Sequence, residues 1–405
     1  MSPVTKVQQE LERGANISII NLVGSLIEHA QHVGASDIHI DPLENSMRVR
    51  FRIDGVLHNM HALPKGIHNE IVSRIKVLSG LRTDEHSAAQ DGRFRCAIEG
   101  TPIPIDVRVS IAPTYYGENA VLRLLSDKAE QFSLETLGFS KSDREKVAHA
   151  IKKPHGMILS TGPTGSGKTT TLYTLIKMIN TPEVSIVTIE DPIEYSIEGI
   201  EQIQVNPRTG LTFANGLRSI LRQDPNIIMV GEIRDSETAS IAVNTALTGH
   251  MLLSTLHTND SATTLPRLLD LGIESYLIAS TVTVALGQRL VRKNCKKCAK
   301  PKKLTDAEKK SLSDALPELD MKGSKFAKGD GCEECSRTGF KGRIGVNEVL
   351  AVDGEVREAI LRKSSAADIR KIAIKNGMTT MLQDGFDKAS GGLTTIEEVL
   401  RVVHE

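Results

Sequence analysis

The chain has no tryptophan, few aromatic residues and no net charge. Aromatic side chains make up 3% of its 405 residues, and 50 basic residues balance 50 acidic ones. Proteins that bind single-stranded nucleic acid stack bases on aromatic side chains inside a basic groove, and this composition is poor in both features. A general field that recruits nucleic acid or an anionic membrane is therefore excluded, so any such contact must be a local patch.

Long apolar runs are also missing. None reaches the roughly 18 residues that a membrane-spanning helix needs, and the N-terminal Met-Ser-Pro-Val-Thr-Lys lacks the apolar core of a secretory signal. We therefore expect a cytoplasmic protein that touches a membrane only through a partner. The 40% apolar and 25% charged content is that of a globular protein, and the length suits two or three domains.

Residues 162–169 read Gly-Pro-Thr-Gly-Ser-Gly-Lys-Thr, the G-x-x-x-x-G-K-T pattern of a phosphate loop. In such a loop the glycines let backbone N–H groups surround the phosphates, the lysine reaches the β and γ oxygens, and the threonine hydroxyl can hold Mg²⁺. A flexible glycine turn would explain neither the lysine nor the strand-like residues before the loop. The predicted nucleotide-binding residues are Gly162, Pro163, Thr164, Gly165, Ser166, Gly167, Lys168, Thr169 and Thr170.

The order of elements around this loop predicts an α/β fold. A helix starts at the lysine, because apolar residues recur with helical spacing at Leu172, Leu175, Ile176 and Ile179. Apolar strands separated by helical stretches are predicted at 185–189, 227–230 and 251–254. This alternation indicates a mainly parallel sheet with helices on both faces and the ligand at the carboxyl ends of the strands.

Acidic residues follow two of these strands. Glu232 comes just after the 227–230 strand, where it can orient or deprotonate the attacking water and reach Mg²⁺ through water. An acidic helix N-cap is the alternative. Glu190, Asp191 and Glu194 follow the 185–189 strand, and this cluster favours organisation of metal and water over a simple turn. We predict catalytic roles for Glu190 and Glu232, and Mg²⁺ association for Thr169, Asp191, Glu194 and Glu232.

Two histidines flank the 251–254 strand. His257 follows the strand and could donate to the γ-phosphate, whereas His250 precedes it. Either residue could instead be a structural hydrogen-bonding group.

The reaction also needs cations, because the transferring phosphoryl group carries negative charge. Arg108 and Arg123 lie on two alternating segments of the first domain, and guanidinium groups bind phosphate bidentately. The alternative for both is a solvated strand face. Arg234, close to Glu232, is a further candidate site residue.

Four of the five cysteines form two Cys-x-x-Cys pairs, Cys295 with Cys298 and Cys332 with Cys335. Each pair can clasp one side of a single ion, so the spacing predicts a tetrahedral Zn²⁺ site. A redox or disulfide pair is one alternative, and a nucleic-acid-binding zinc ribbon is another. Cys96 stands alone, and we expect it to be a small buried apolar side chain.

The first part of the chain predicts a small α/β or α+β domain. Helix patterns cover 16–33 and 69–79, and strand patterns cover 36–42, 47–57, 105–111 and 120–125. A polar segment then interrupts the pattern. The expected organisation is an N-terminal extension, 1–15, an α/β domain, 16–125, a linker, 126–133, and a nucleotide-binding domain, 134–405, with a zinc-binding insert, 294–343, and a C-terminal helical region, 350–405.

These motifs, in this order, resemble those of the secretion ATPase superfamily, specifically the assembly ATPases of type IV pili and type II secretion systems. The likeness runs from about residue 15 to the C-terminus. It rests on Ala-Ser-Asp-Ile-His-Ile at 35–40, Gly-Glu-Asn with Val-Leu-Arg-Leu-Leu at 117–125, the phosphate loop, Glu-Asp-Pro-Ile-Glu at 190–194, Leu-Arg-Gln-Asp-Pro at 221–225, Gly-Glu-Ile-Arg-Asp at 231–235, a His box at 248–260 and the four cysteines.

The resemblance implies a RecA-like ATPase domain, a smaller PAS-like N-terminal domain, and a homohexameric ring that uses ATP, Mg²⁺ and Zn²⁺. It also implies that Arg108 and Arg123 are presented by one domain to nucleotide on the other. The implied partner is an inner-membrane platform protein, and no direct contact with nucleic acid is expected. Retraction ATPases share the core but typically lack the four cysteines, which favours assembly.

Such ATPases commonly carry a further N-terminal docking domain, whereas about fifteen residues precede the first predicted helix here. We therefore expect either a shortened chain or a short relative. Pilus assembly, type II secretion and DNA uptake all use this engine, so these three roles stay open. Two other functions also stay open: a nucleic-acid translocase or helicase, and a nucleotide-dependent scaffold without turnover.

Overall fold

The computed structural model describes residues 3–98, 104–125, 132–315 and 323–404. The chain divides into two compact units, Met1–Glu130 and Gln131–Glu405. Most of the predicted linker, 126–133, lies outside the described residues. Each unit has its own hydrophobic core.

The elements of the first unit are α1 (Pro3–Glu12), α2 (Ile19–His32), β1 (Ala35–Pro42), β2 (Ser46–Ile53), β3 (Val56–Pro64), α3 (His68–Leu78), β4 (Gln90–Cys96), β5 (Ile105–Thr114) and β6 (Gly117–Leu125). Its strands form a six-stranded antiparallel sheet with the order β3-β2-β1-β6-β5-β4. Alternate residues of β5 are buried, and they pack in one core with α2 and α3. This gives the half-buried face that the alternating pattern predicts.

Two segments of the first unit differ from the sequence prediction. The predicted strand 47–57 is a hairpin, because Asp54 and Gly55 both have positive φ (50° and 89°) and turn the chain between β2 and β3. Asp-Gly favours this two-residue turn. The predicted N-terminal extension contains α1, so the first helix begins at Pro3, and its Val7 is fully buried in the core of this unit.

The second unit contains the remaining elements. They are α4 (Lys141–Ile151), β7 (Gly156–Thr161), α5 (Lys168–Ile179), β8 (Ile186–Glu190), β9 (Glu201–Gln204), α6 (Phe213–Ile220), β10 (Ile227–Val230), α7 (Ser236–Leu247), β11 (Met251–Leu256), α8 (Ser261–Asp270), α9 (Ser275–Thr281), β12 (Val282–Asn294), β13 (Ala299–Pro301), α10 (Asp306–Ala315), β14 (Ala327–Gly329), β15 (Phe340–Ala351), α11 (Gly354–Leu361), α12 (Ala366–Lys375), α13 (Met381–Ser390) and α14 (Ile396–His404).

A seven-stranded sheet with the order β15-β12-β7-β11-β10-β8-β9 forms the centre of this unit. All neighbouring pairs from β12 to β9 are parallel, and β15 joins β12 as an antiparallel edge strand. Met157 and Leu159 pack into one core, whereas Ile158 between them packs into another, so both faces of the sheet are covered. The predicted α/β fold with a mainly parallel sheet is therefore confirmed.

The long antiparallel pair β12–β15 was not predicted from the sequence. The cysteine segment is inserted between these two strands, since β12 ends at Asn294 and β15 begins at Phe340. Four helices follow β15, and α13 is the one that the sequence pattern missed. In the part of the chain that the structure describes, no helix has both the length and the apolarity needed to cross a bilayer.

Candidate functional site

The phosphate loop connects β7 to α5 in the predicted way. Gly162, Gly165 and Gly167 all adopt positive φ, between 79° and 145°, where a side chain would be strained. At Gly162 a Cβ atom would also lie 2.4 Å from the carbonyl oxygen of Gln288. The crest of the loop, Pro163 to Gly165, is exposed, and Ser166 and Lys168 are buried.

Lys168 begins α5, whose first turn presents backbone N–H groups without acceptors inside the helix. Its Nζ donates to the carbonyl oxygens of Gly162 (2.8 Å) and Pro163 (3.0 Å). Burial lowers the pKa of Lys168 to about 8, and the nearby charge of Arg289 acts in the same direction while that of Glu232 opposes it. A buried ammonium group without a bound anion is costly, so this site favours a phosphate.

Glu232 lies two strands away from the phosphate loop at the same edge of the sheet. It follows β10, and β11 is inserted between β10 and β7. Its Oε2 accepts from Nε of Arg234 at 2.6 Å and lies 3.1 Å from Nε2 of His257, which follows β11. The carboxylate is largely buried, whereas Arg234 and His257 are accessible. The structure therefore brings three predicted site residues together.

Glu190 ends β8 and is almost fully buried. Its carboxylate accepts from Tyr173 on α5, from Thr188 (2.6 Å) and from Gln202 on β9 (3.2 Å). Burial raises the pKa of Glu190, although these three donors oppose the rise. These contacts link α5 to the sheet through the Glu190 carboxylate.

The other predicted residues differ in position. Asp191 is exposed after β8, and its charge contributes to the raised pKa of Arg234, for which the hydrogen bond to Glu232 is the larger cause. Glu194 is half-buried, four positions beyond Glu190. His250 precedes β11, at the opposite edge of the sheet from the phosphate loop, and its Nδ1 lies 3.2 Å from the carbonyl oxygen of Thr245. The structure does not bring His250 to the other candidates, because a six-residue strand spans about 20 Å.

Sequence patterns did not reveal that β12 passes behind the phosphate loop. Gln288 on β12 is 1% exposed, its Oε1 accepts from Thr171 of α5 at 2.8 Å, and its Nε2 has no protein partner. The Oγ of Ser166, inside the loop, is likewise buried without a protein partner. These polar atoms fit a loop whose hydrogen-bonding groups are completed by a polar ligand. The signal that the sequence offered for this contact is the amide side chain of Gln288 in an apolar segment.

The two predicted arginines of the first unit lie on one face of its sheet. Arg108 on β5 is directly opposite Arg123 on β6, and the pairing register adds Arg93 of β4 on the other side. Arg123 donates from Nε to Asp37 at 3.0 Å. Three guanidinium groups therefore lie side by side on this face, and Asp37 pairs with one of them, Arg123. Arg93 was not selected from the sequence.

The four cysteines of the insert form one cluster. The Sγ atoms of Cys295, Cys298, Cys332 and Cys335 all lie within 4.8 Å of one another, and the close pairs are 3.7 to 3.9 Å apart. A tetrahedral Zn²⁺ with Zn–S bonds of about 2.3 Å places sulfur atoms about 3.8 Å apart. The cysteine set therefore fits one zinc ion.

Local hydrogen bonds support this fit. Backbone N–H groups of Cys332 and Gly339 donate to Sγ of Cys335 at 3.1 and 3.3 Å. Although burial acts in the opposite direction, these bonds lower the pKa of the Cys335 thiol and so favour the thiolate that binds metal. All four thiols are free, and Cys96, in the first unit, is partly buried beside its apolar core.

Comparison with known proteins gives consistent results. The family model for "Type II/IV secretion system protein" matches residues 12–401. The type IV pilus assembly ATPase PilB of Thermus thermophilus is 48% identical over 93% of this chain, and the type II secretion system protein E of Xanthomonas campestris pv. campestris is 45% identical over 96%. The chain spans 42% of the length of the first relative and 68% of the length of the second.

Two solved structures have a similar fold. The pilus retraction motor PilT with bound ADP aligns with a TM-score of 0.63 at 26% identity, covering 94% of this chain and 96% of PilT. The ATPase DotB of Legionella pneumophila aligns with a TM-score of 0.68 at 23% identity, covering 94% of each chain. With a family match over nearly its whole length and relatives from a type IV pilus and from a type II secretion system, the chain belongs to the type II/IV secretion system protein family.

Proposed function

We propose that the chain is an ATP hydrolase that powers assembly of a type IV pilus or of the filament of a type II secretion system. The observation that carries this proposal is the position of Glu232 at the same sheet edge as the phosphate loop, with one strand between them. That spacing leaves room for a phosphoryl group and a water molecule between the ammonium of Lys168 and a carboxylate that can act on the water.

The residues of the loop bind and orient the nucleotide. Lys168 and the N–H groups at the start of α5 neutralise the β and γ phosphates, because both present positive charge to the same point. Thr169, together with Asp191, Glu194 and Glu232 acting directly or through water, would hold Mg²⁺, which supplies charge neutralisation of the phosphates. Glu190 positions α5 through Tyr173 rather than contacting the substrate.

Glu232 activates the attacking water in this proposal. Arg234 and His257 both engage its Oε2, which leaves Oε1 as the oxygen that can accept the proton of the water. His257 also lies where it can donate to the γ-phosphate, and loss of that phosphate would then change its contact with Glu232.

Arg108 and Arg123 are proposed donors of positive charge to the transferring phosphoryl group. The support is their shared face, on which the two guanidinium groups lie directly opposite each other. A homohexamer, with an inner-membrane platform protein as its partner, rests on family membership alone. The fit of the cysteine cluster to Zn²⁺ favours assembly over retraction.

The test compares Lys168→Ala with Glu232→Gln in the full chain. Lys168→Ala should abolish binding of a fluorescent ATP analogue, because it removes ground-state charge. Glu232→Gln should keep that affinity and lower the single-turnover rate by at least about a hundredfold, since an amide cannot take the proton. Glu237→Gln is the matched control, because this exposed carboxylate on α7 pairs only with Arg218 among its described partners.

Hydrolysis by Glu232→Gln at the parent rate would overturn the catalytic assignment. Absence of turnover in the parent, in the presence of Mg²⁺ and after assembly, would favour a nucleotide-dependent scaffold instead. Turnover that requires an added polynucleotide would favour a translocase.

A further inference from the structure

The segment 257–260, termed here the His257 loop, joins the end of β11 to the start of α8. Its first part is attached to the phosphate-loop strand. The backbone N–H of Thr258 donates to Oγ1 of Thr161 at 3.0 Å, and that hydroxyl lies 2.9 Å from the carbonyl oxygen of Thr258. Thr161 is the last residue of β7 and directly precedes Gly162. Two buried contacts therefore attach the His257 loop to the residue that precedes the phosphate loop.

The other end of the His257 loop is attached to the C-terminal helices. Asp260 caps α8, and its Oδ1 accepts from the backbone N–H (2.8 Å) and the hydroxyl (2.7 Å) of Thr263. Its Oδ2 lies 2.6 Å from Nη2 of Arg370, on α12, and forms an ion pair with it. One oxygen of the Asp260 carboxylate therefore caps the start of α8, and the other forms an ion pair with the C-terminal region.

The start of α8 has a second, independent support. The buried carboxylate of Glu348 on β15 accepts from the backbone N–H and the hydroxyl of Ser261, both at 2.7 Å, and from the backbone N–H of Met381 at the start of α13. Because this support does not involve Arg370, α8 stays in place without the arginine. What Arg370 adds is a contact between the Asp260 carboxylate and α12, and with it a link from the preceding loop to the C-terminal helices.

We propose that Arg370 is a positioning residue for turnover, and that the His257 loop couples the phosphate site to the C-terminal helices through the Asp260–Arg370 pair. Of this inference, only the expected effect on the turnover rate rests on the proposed ATP hydrolysis. Arg370 is 41% exposed and Asp260 20% exposed, and ion pairs of this accessibility contribute little to stability. The pair therefore acts through geometry: it holds the loop in the setting where His257 contacts Glu232. In the opposite direction, the same contacts carry a change in the position of Thr161 to α12.

The experiment uses the full chain with Arg370→Gln, Arg370→Lys and a control, Lys375→Gln. Lys375 lies on the same helix as Arg370, and its exposed side chain pairs with Glu355 of α11. The control therefore removes an exposed ion pair of α12 that does not involve α8. Arg370→Gln should lower kcat by about threefold to thirtyfold, the size of single-residue coupling effects, with KM for ATP unchanged. Arg370→Lys should restore most of the rate because it keeps the charge, and Lys375→Gln should match the parent. In an Asp260→Asn background, Arg370→Gln should have little further effect.

A second readout does not need hydrolysis. Addition of a non-hydrolysable ATP analogue to the parent should slow amide hydrogen exchange in 366–375, and Arg370→Gln should abolish this response while it still binds the analogue. An unchanged kcat and an unchanged exchange response in Arg370→Gln would overturn the inference, as would a parent whose α12 does not respond to the analogue. If the parent binds the analogue but does not hydrolyse ATP, the proposed function fails while the exchange result still decides the coupling.

Discussion

Glu398 attaches the last helix, α14, to the central sheet, and its replacement by glutamine gives a sharp test of the second unit. The Glu398 side chain is 4% exposed. It accepts from the backbone N–H of Arg292 on β12 (3.2 Å) and from Nε and Nη2 of the same residue (2.9 and 2.6 Å). Arg401 donates to it as well. A buried carboxylate with this set of donors is strongly held in its ionised form.

The size of the effect follows from the pKa. Burial raises the pKa of Glu398, but the hydrogen bonds and charges of Arg292 and Arg401 outweigh it and lower the pKa from 4.5 to about 2. A lowering of this size corresponds to about 3 kcal/mol of stability. Because the folded-state value is depressed, this stability is fully present above pH 4.5 and is lost as the pH falls toward 2. By pH 3, about 1.5 kcal/mol of it remains.

Glu398→Gln should therefore lower the free energy of local opening of α14 by about 3 kcal/mol at pH 7, in line with the cost of breaking a buried ion pair. At pH 3 the difference from the parent should shrink to about half. Amide hydrogen exchange of 396–404 measures this free energy at both pH values. The neighbouring Glu397→Gln is a matched control. Although burial acts in the opposite direction, the hydrogen bond and charge of Lys302 lower the pKa of Glu397 to about 2 as well. Because Glu397 is 41% exposed, solvent screening should reduce the contribution of its pairs with Lys302 and Lys328 to about 1 kcal/mol. Equal losses in the two variants, or a pH-independent loss for Glu398→Gln, would refute the reasoning.

Three further predictions concern the other sites. Cys298→Ser should lower the zinc content below one ion per chain and should speed amide hydrogen exchange only in the insert, since the central sheet contains no zinc ligand. Elemental analysis that finds no zinc in the parent purified without chelator would contradict this. Tyr173→Phe should destabilise the second unit by about 1 to 3 kcal/mol, measured by urea denaturation, because Glu190 loses a buried donor; a neutral result would show that water replaces the hydroxyl. Arg123→Ala should leave nucleotide affinity intact and lower turnover by roughly a thousandfold, as for an arginine finger, whereas a parent-like rate would leave Arg123 on a solvated strand face.

The sequence by itself determined the local chemistry of this protein. The phosphate loop lies between β7 and α5 because three glycines and a helix-initiating lysine specify that turn at short range. Alternation of apolar strands with helical stretches predicted a parallel sheet, since only a sheet buried on both faces needs strands without polar alternation. The Cys-x-x-Cys spacing indicated that the two thiols of each pair can face one ion, because they are three positions apart, whereas the meeting of the two pairs required the fold.

Only the tertiary structure decided which distant residues meet. The insertion of β11 between β7 and β10 places His257 against Glu232 and leaves His250 at the far edge, and this depends on strand order rather than on either residue's neighbours in the chain. The contact of Arg370 with Asp260 joins residues 110 positions apart. At Asp54–Gly55 the sequence prediction missed a purely local feature, because the Asp-Gly turn signal lies inside an uninterrupted strand pattern. Periodicity reports which face of an element is buried, but it carries no information about which elements become neighbours.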